Sequence, residues 1–155
     1  MFVKKSVLEL FDALSEEVFN YALSILKDYD DAKDAVQEVF IQHMRRENTF
    51  RGDSSYKTWL LAITRNYCYR KAANKSKMLK RVGTNPAAAY EMNMEASITL
   101  NDALEELTNE EYEIIYLREY AGYSYQEMAE ILEISLDNVK IKIFRIRQKL
   151  RNYLK

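Results

Sequence analysis

Apolar side chains return every three or four residues along most of the chain, the spacing that turns one side of a helix toward a core. Over residues 6–27 they fall at Leu10, Phe11, Leu14, Val18, Tyr21, Ala22, Ile25 and Leu26, which predicts a first helix or helix pair. Over 31–46 they fall at Ala32, Ala35, Val36, Val39, Phe40 and Met44, with Asp30 or Asp31 placed to cap the free N–H groups. The opposite face of this second helix is polar: Lys33, Asp34, Gln37, Glu38, Gln42 and Arg45. A polar break holding Phe50, Arg51, Gly52 and Asp53 follows. Ser54 or Ser55 then caps a third helix beginning near Lys57, apolar early (Trp59, Leu60, Ala62, Ile63), basic late, and ending near Gly83.

Between Thr84 and Leu100 the periodicity lapses, and the stretch contains the single proline, so it reads as a linker. Beyond it the punctuation sharpens. Thr108 with Glu111 forms a capping box for a helix that stops at Ala121-Gly122, and Ser124 with Glu127 forms another for the short helix YQEMAEIL. The tripeptide Glu133-Ile134-Ser135 leads to a last helix whose buried side is Val139, Ile143, Ile146 and Leu150. Short helix, tight turn and longer basic helix make a helix-turn-helix layout. The chain is predicted to be all-α, with one small helical domain over 1–83, a flexible linker over 84–100 and a second domain over 101–155.

Charge changes the picture more than composition does. The 155 residues carry a formal net charge of −1, but residues 1–53 hold 7 basic and 11 acidic side chains, 54–90 hold 8 and 0, 91–137 hold 1 and 13, and 138–155 hold 7 and 0. Two acid-free basic blocks separated by an acidic one point to nucleic acid. In the first block Tyr56, Trp59, Tyr67 and Tyr69 lie among the cations, the mixture that holds a phosphate backbone and unstacked bases. In the second, basic and amide side chains on the outward side of the last helix suit phosphates and base edges of a major groove. Ile141 and Phe144 also point away from the buried stripe, toward either thymine methyl groups or another protein. The acidic block repels DNA and is expected to discourage binding by the protein alone.

Other chemistry is sparse. One cysteine, Cys68, and one histidine, His43, exclude a disulfide framework and leave no metal site; a cytoplasmic setting is expected. No phosphate-cradling glycine loop and no triad is available, so neither cofactor nor catalysis is expected. His43 is placed at the surface. The N-terminal segment carries acids within its apolar run, unlike a secretory signal, and no run is long enough to insert in a membrane.

Taken together, DDAKDAVQEVFIQ, FRGDSSYKTWLLAITRN and YSYQEMAEILEISLDNVKIKIFRIRQKL resemble, in order, three segments of bacterial RNA polymerase sigma factors of the extracytoplasmic-function (ECF) group. The resemblance implies that Asp34, Gln37, Glu38 and Gln42 dock on the clamp helices of the polymerase β′ subunit. It implies that Arg51, Ser54, Ser55, Trp59, Arg65, Asn66 and Arg70 open and read the promoter minus-ten element. Trp59 is equally suited to holding the preceding loop in place. Asn138, Lys140, Lys142, Arg145 and Gln148 would read the minus-thirty-five element. The implied partners are core RNA polymerase, through the clamp helices and the β flap, promoter DNA and an anti-sigma protein. Nucleoid association would follow from polymerase binding. The chain departs from the family pattern at Glu133, where glycine is usual, and at Asp137-Asn138, where Gly-Thr is usual. A helix-turn-helix regulator that binds duplex DNA without polymerase, and a polymerase-binding adaptor that reads no promoter, stay open as alternatives.

Overall fold

The structure, a computed structural model, describes residues 7–46, 55–82 and 98–154. Among these every regular element is helical: α1 (Val7–Leu26), α2 (Tyr29–Arg46), α3 (Tyr56–Val82), α4 (Ile98–Glu105), α5 (Asn109–Ile115), α6 (Tyr125–Leu132) and α7 (Leu136–Leu154). A π-helical turn, Tyr116–Tyr120, continues α5. The chain divides into two compact units, Met1–Glu91 and Met92–Lys155. Of the stretch expected as linker, Ile98 to Leu100 belong to α4 and the rest lies outside the described residues.

In the first unit α1, α2 and α3 pack mutually. The core is Val18, Tyr21, Ala22 and Ile25 of α1, Ala32, Ala35, Val36, Val39 and Phe40 of α2, and Leu60, Leu61, Ile63 and Cys68 of α3. Phe11, expected in the core, is partly exposed, although its ring meets that of Phe40 edge-on at 5.2 Å. The turn into α2 comes earlier than expected. Lys27 takes a left-handed conformation (φ 54°), and the Asp28 carboxylate accepts from the Asp31 N–H at 2.9 Å. Asp28 is therefore the cap, and Asp30 and Asp31 sit inside the first turn, where their charge favours the helix dipole. At the start of α3 the Ser55 hydroxyl accepts from the Thr58 N–H at 3.2 Å, so of the two serines considered Ser55 caps the helix; Ser54 lies outside the described residues.

Position 43 corrects the reading of α2. His43 is only 2 % exposed, whereas Met44 is 57 % exposed. The buried stripe Val39, Phe40, His43 continues the helical period, and the imidazole is met edge-on by Tyr56 at 5.8 Å and Trp59 at 5.4 Å. An aromatic lining is what a flat, weakly polar ring needs to replace water.

In the second unit α7 packs against α4, α5 and α6. Both expected capping boxes form: Thr108 with Glu111, and Ser124 with Glu127. Gly122 adopts φ 79°, a conformation open to glycine at little steric cost. At the helix-turn-helix bend the residue with left-handed backbone is Glu133 (φ 56°, ψ 44°), and the Ile134 N–H closes the turn onto the Ala129 carbonyl at 3.1 Å. A side chain in that region costs about 1–2 kcal/mol against glycine. Glu133→Gly is expected to stabilise the unit by about 1 kcal/mol, read as a higher urea midpoint for the loss of amide protection in α6 and α7. An unchanged or lower midpoint would mean that the glutamate side chain offsets the strain.

Among the described residues no helix is long and apolar enough to cross a membrane. That finding replaces the cytoplasmic placement expected from cysteine usage, which rests on nothing further in the structure.

Candidate functional site

Two basic surfaces arise, one on α3 and one on α7, and in each the fold divides the cations into paired and unpaired sets. On α3 the buried side holds Leu60, Leu61, Thr64 and Cys68. Trp59, Asn66 and Arg70 lie seven and four residues apart, which places them on one outward stripe. Asn66 and Arg70 are exposed, and Trp59 is half-buried by its edge contacts with His43 and Tyr56. Beside this stripe the Arg65 guanidinium sits 4.6 Å from the centre of the Tyr69 ring, a cation–π pair that holds charge and ring together. Ser55 is exposed at the head of the helix. Arg51 and Ser54 lie outside the described residues.

Lys71 and Lys75 take the opposite course. They turn toward the N-terminal end of α2: Lys71 Nζ lies 3.7 Å from both the Asp31 and Asp34 carboxylates, and Lys75 Nζ lies 2.9 Å from Asp31 and 3.6 Å from Asp28. Sequence reasoning grouped these lysines with the nucleic-acid cations; their i, i+4 spacing opposite the aspartates of 28–34 is the signal that separates them. Burial works against the Lys71 charge, but Tyr67, Asp31 and Asp34 outweigh it and hold the ammonium above its ordinary pKa. Lys75 is raised chiefly by its hydrogen bond to Asp31. Asp28 is lowered chiefly by the Asp31 N–H, with Lys75 adding.

The pH dependence follows from those directions. The raised lysines contribute fully below the unfolded lysine pKa of about 10.4, and their contribution is lost as pH rises through the folded values. The lowered Asp28 contributes above about 3.9 and is lost as pH falls through its folded value. The first unit, followed by Trp59 fluorescence in urea, is expected to show a stability plateau between these limits. Lys75→Gln should flatten the alkaline edge by a few tenths to about 1 kcal/mol, as for other partly exposed pairs. An alkaline edge as steep as in the unsubstituted protein would show that Lys75 is not its source.

On the outer face of α2, Asp34 and Gln37 are exposed and Glu38 and Gln42 are partly exposed, so the four expected docking residues share one side of the helix. Asp34 also pairs with Lys71. Ile41 and Met44, both exposed, lie among them. The hydropathy pattern puts Met44 in the core, so it gives no sign of this apolar surface on a polar face.

On α7 the pairing is again selective. Lys142 Nζ donates to Glu110 at 3.3 Å, Arg147 Nε to Glu119 at 3.1 Å and Lys149 Nζ to Glu111 at 2.9 Å. Glu111 serves twice, since it also accepts from the Thr108 N–H at 2.9 Å. Burial raises its pKa, but Thr108 and Lys149 together bring it below the ordinary value. The Arg147 guanidinium is raised by its bond to Glu119. Lys140, Arg145 and Arg151 are exposed and pair with no acid among the described residues. Asn138 and Gln148 are exposed too, and the Asn138 N–H donates to Ser135 Oγ at 3.1 Å, which fixes the start of the helix. Among the described residues no group of His, Cys, Asp and Glu side chains could hold a metal ion.

Both units resemble known proteins. Residues 10–78 match the family model described as Sigma-70 region 2, and residues 97–150 match Sigma-70, region 4. The chain is 30 % identical over 178 residues to the ECF RNA polymerase sigma-E factor of Escherichia coli K12, covering 97 % of this chain and 89 % of that protein. It is 28 % identical over 158 residues to the RNA polymerase sigma factor YlaC of Bacillus subtilis, covering 96 % and 91 %. Two solved structures share the fold. The sigma factor RpoE, in complex with the anti-sigma factor NepR from Bartonella quintana, gives a TM-score of 0.77 at 23 % identity over 95 % of each chain. CnrH, in complex with the cytosolic domain of CnrY, gives 0.67 at 24 % identity over 96 % of this chain and 86 % of that one. Two family regions matched in order along most of the chain, together with the Escherichia coli relative, show that the protein belongs to the sigma-70 family as an ECF sigma factor of RNA polymerase.

Proposed function

We propose a residue-level division of labour for this sigma factor. The protein binds RNA polymerase and promoter DNA for transcription initiation and performs no catalysis itself. The outer face of α2, with Asp34, Gln37, Glu38 and Gln42, docks on the β′ clamp helices, and the second unit meets the β flap. Ser55, Trp59, Arg65, Asn66 and Arg70, with Arg51 and Ser54 just before them, open and read the minus-ten element. Asn138 and Gln148 read base edges of the minus-thirty-five element, and Lys140 and Arg145 hold its phosphates. We assign Lys142, also expected there, to holding α7 on α5, because its ammonium pairs with Glu110 at 3.3 Å. An anti-sigma protein, as held by RpoE in the Bartonella quintana complex, is a further proposed partner, and the polymerase-bound form resides on the nucleoid.

The observation that carries this reading is the stripe of Trp59, Asn66 and Arg70 on α3. It offers an aromatic plane, an amide and a cation that pairs with no acid among the described residues to an opened strand, which duplex readout alone would not require. The test is reconstituted transcription with core polymerase over a fragmented genomic library. Discrete start sites sharing two spaced motifs are expected, and Arg70→Ala with Arg145→Ala should abolish them. Polymerase binding without start sites would instead indicate an adaptor. A footprint on duplex DNA by the protein alone, with no polymerase binding, would indicate a regulator.

A further inference from the structure

The outward face of α7 is not uniformly polar. At helical spacing Asp137, Ile141, Phe144 and Gln148 form one line, opposite the buried line of Val139, Ile143 and Ile146. Ile141 is 46 % exposed, and Phe144, at 61 %, is the most exposed large hydrophobic side chain among the described residues. Nothing in the helix itself calls for them: a lysine or glutamine would serve helix and solvent better. On either side stand the unpaired cations, Lys140 and Arg151 along one edge and Arg145 along the other. The cations nearer the body of the unit, Lys142, Arg147 and Lys149, are drawn back onto Glu110, Glu119 and Glu111.

An apolar centre with cations on both sides, none paired with an acid among the described residues, matches a major groove. Phosphates line its two edges, and the base edges on its floor include one apolar group, the C5-methyl of thymine. Ile141 and Phe144 also lie in the first three turns of α7, the part of a recognition helix that reaches base edges. We infer that Ile141 and Phe144 read thymine through its C5-methyl group, so that the element bound by α7 contains A·T pairs recognised by apolar contact. Asn138 and Gln148 supply the hydrogen bonds to neighbouring bases. The inference rests on α7 being the duplex-reading helix, as proposed above.

Deoxyuridine keeps every hydrogen-bonding group of thymine and lacks only the methyl, so it isolates the contact. Holoenzyme assembled from the full chain and core polymerase would be used to select duplexes randomised in the upstream element, from libraries made with thymine or with deoxyuridine. The thymine library is expected to return fixed A·T pairs that the deoxyuridine library does not. On one selected duplex, replacing those thymines should weaken binding roughly fourfold per methyl, the worth of one buried CH₂. Ile141→Ala and Phe144→Ala should each remove the difference at the position it reads; both side chains are exposed, so the fold is retained. Equal binding of the two duplexes would overturn the inference and leave the pair to a protein contact, while a selected upstream element would keep α7 as the reading helix. Absence of any upstream element would overturn that reading itself.

Discussion

Replacing Lys140, Arg145 and Arg151 together with alanine is expected to weaken duplex binding by the holoenzyme about 10- to 1,000-fold at moderate salt and to flatten its salt dependence. Each phosphate contact releases condensed counterions, so each lost contact should lower the slope of log affinity against log salt by about one. The loss should be similar for every upstream sequence, because phosphates carry no sequence information. Alanine at Lys142, Arg147 and Lys149 should behave differently. These three hold α7 to α5 and to the π turn, so their removal should cost the unit a few tenths to about 1 kcal/mol per pair and leave the slope nearly unchanged. Anisotropy titrations across a salt series separate the outcomes. A slope altered as much by the second set as by the first would show that the internal pairs open on DNA and that the division is not one of function.

Leu117→Ala should have the largest effect on stability. Leu117 is fully buried on the π turn, and its carbonyl accepts from the Tyr123 N–H at 3.0 Å, which joins the turn to the approach to α6. Truncating a leucine in such a place costs about 2–5 kcal/mol. A helical unit of this size has only a few kcal/mol of stability in all, so it should be largely unfolded near 37 °C. Trp59 reports only the first unit, so the second is best followed by amide exchange in α5, α6 and α7. Protection reduced by less than about tenfold, near 1.4 kcal/mol, would mean that the surrounding side chains close over the gap. Transcription from promoters that depend on the upstream element should fall with the folded population.

The parts of the fold that were legible in the sequence are those whose cause is local. Each capping box is two residues at a fixed spacing, and both formed as read. The elements that escaped depend on competition between neighbours. Three aspartates within four positions could each have capped α2, and the left-handed Lys27 decided for the earliest, Asp28. At 43 and 44, hydropathy placed methionine inside and histidine outside. The helical period, with Tyr56 and Trp59 ready to cover an imidazole, required the reverse. The π turn has no signature in this sequence beyond its apolar residues, because it inserts an extra residue into a continuing helix.

The candidate site was legible in its residue types more than in its assignments. Charge blocks located both basic surfaces, but a count of lysines does not distinguish one facing an acid across the helix pair from one facing solvent. Lys71 and Lys75 on α3, and Lys142 and Lys149 on α7, are separated from Arg70, Lys140 and Arg145 only by the packing of α2 and α5. The acidic block of 91–137 likewise has a structural part beyond repelling DNA, since Glu110, Glu111 and Glu119 anchor the basic helix.

The caps of the second unit have a consequence for how it is made. Thr108, Ser124 and Ser135 each close a helix start onto a residue three positions away, and the turn at Glu133 closes onto Ala129. Four of the bonds that set its geometry therefore span five residues or fewer, and they can form before α7 returns onto α4 and α5. Chains ordered by such near-neighbour contacts lose little loop entropy on the way to the native state, and small helical units of this kind fold in microseconds to milliseconds. The unit should then be ordered almost as soon as α7 clears the ribosome.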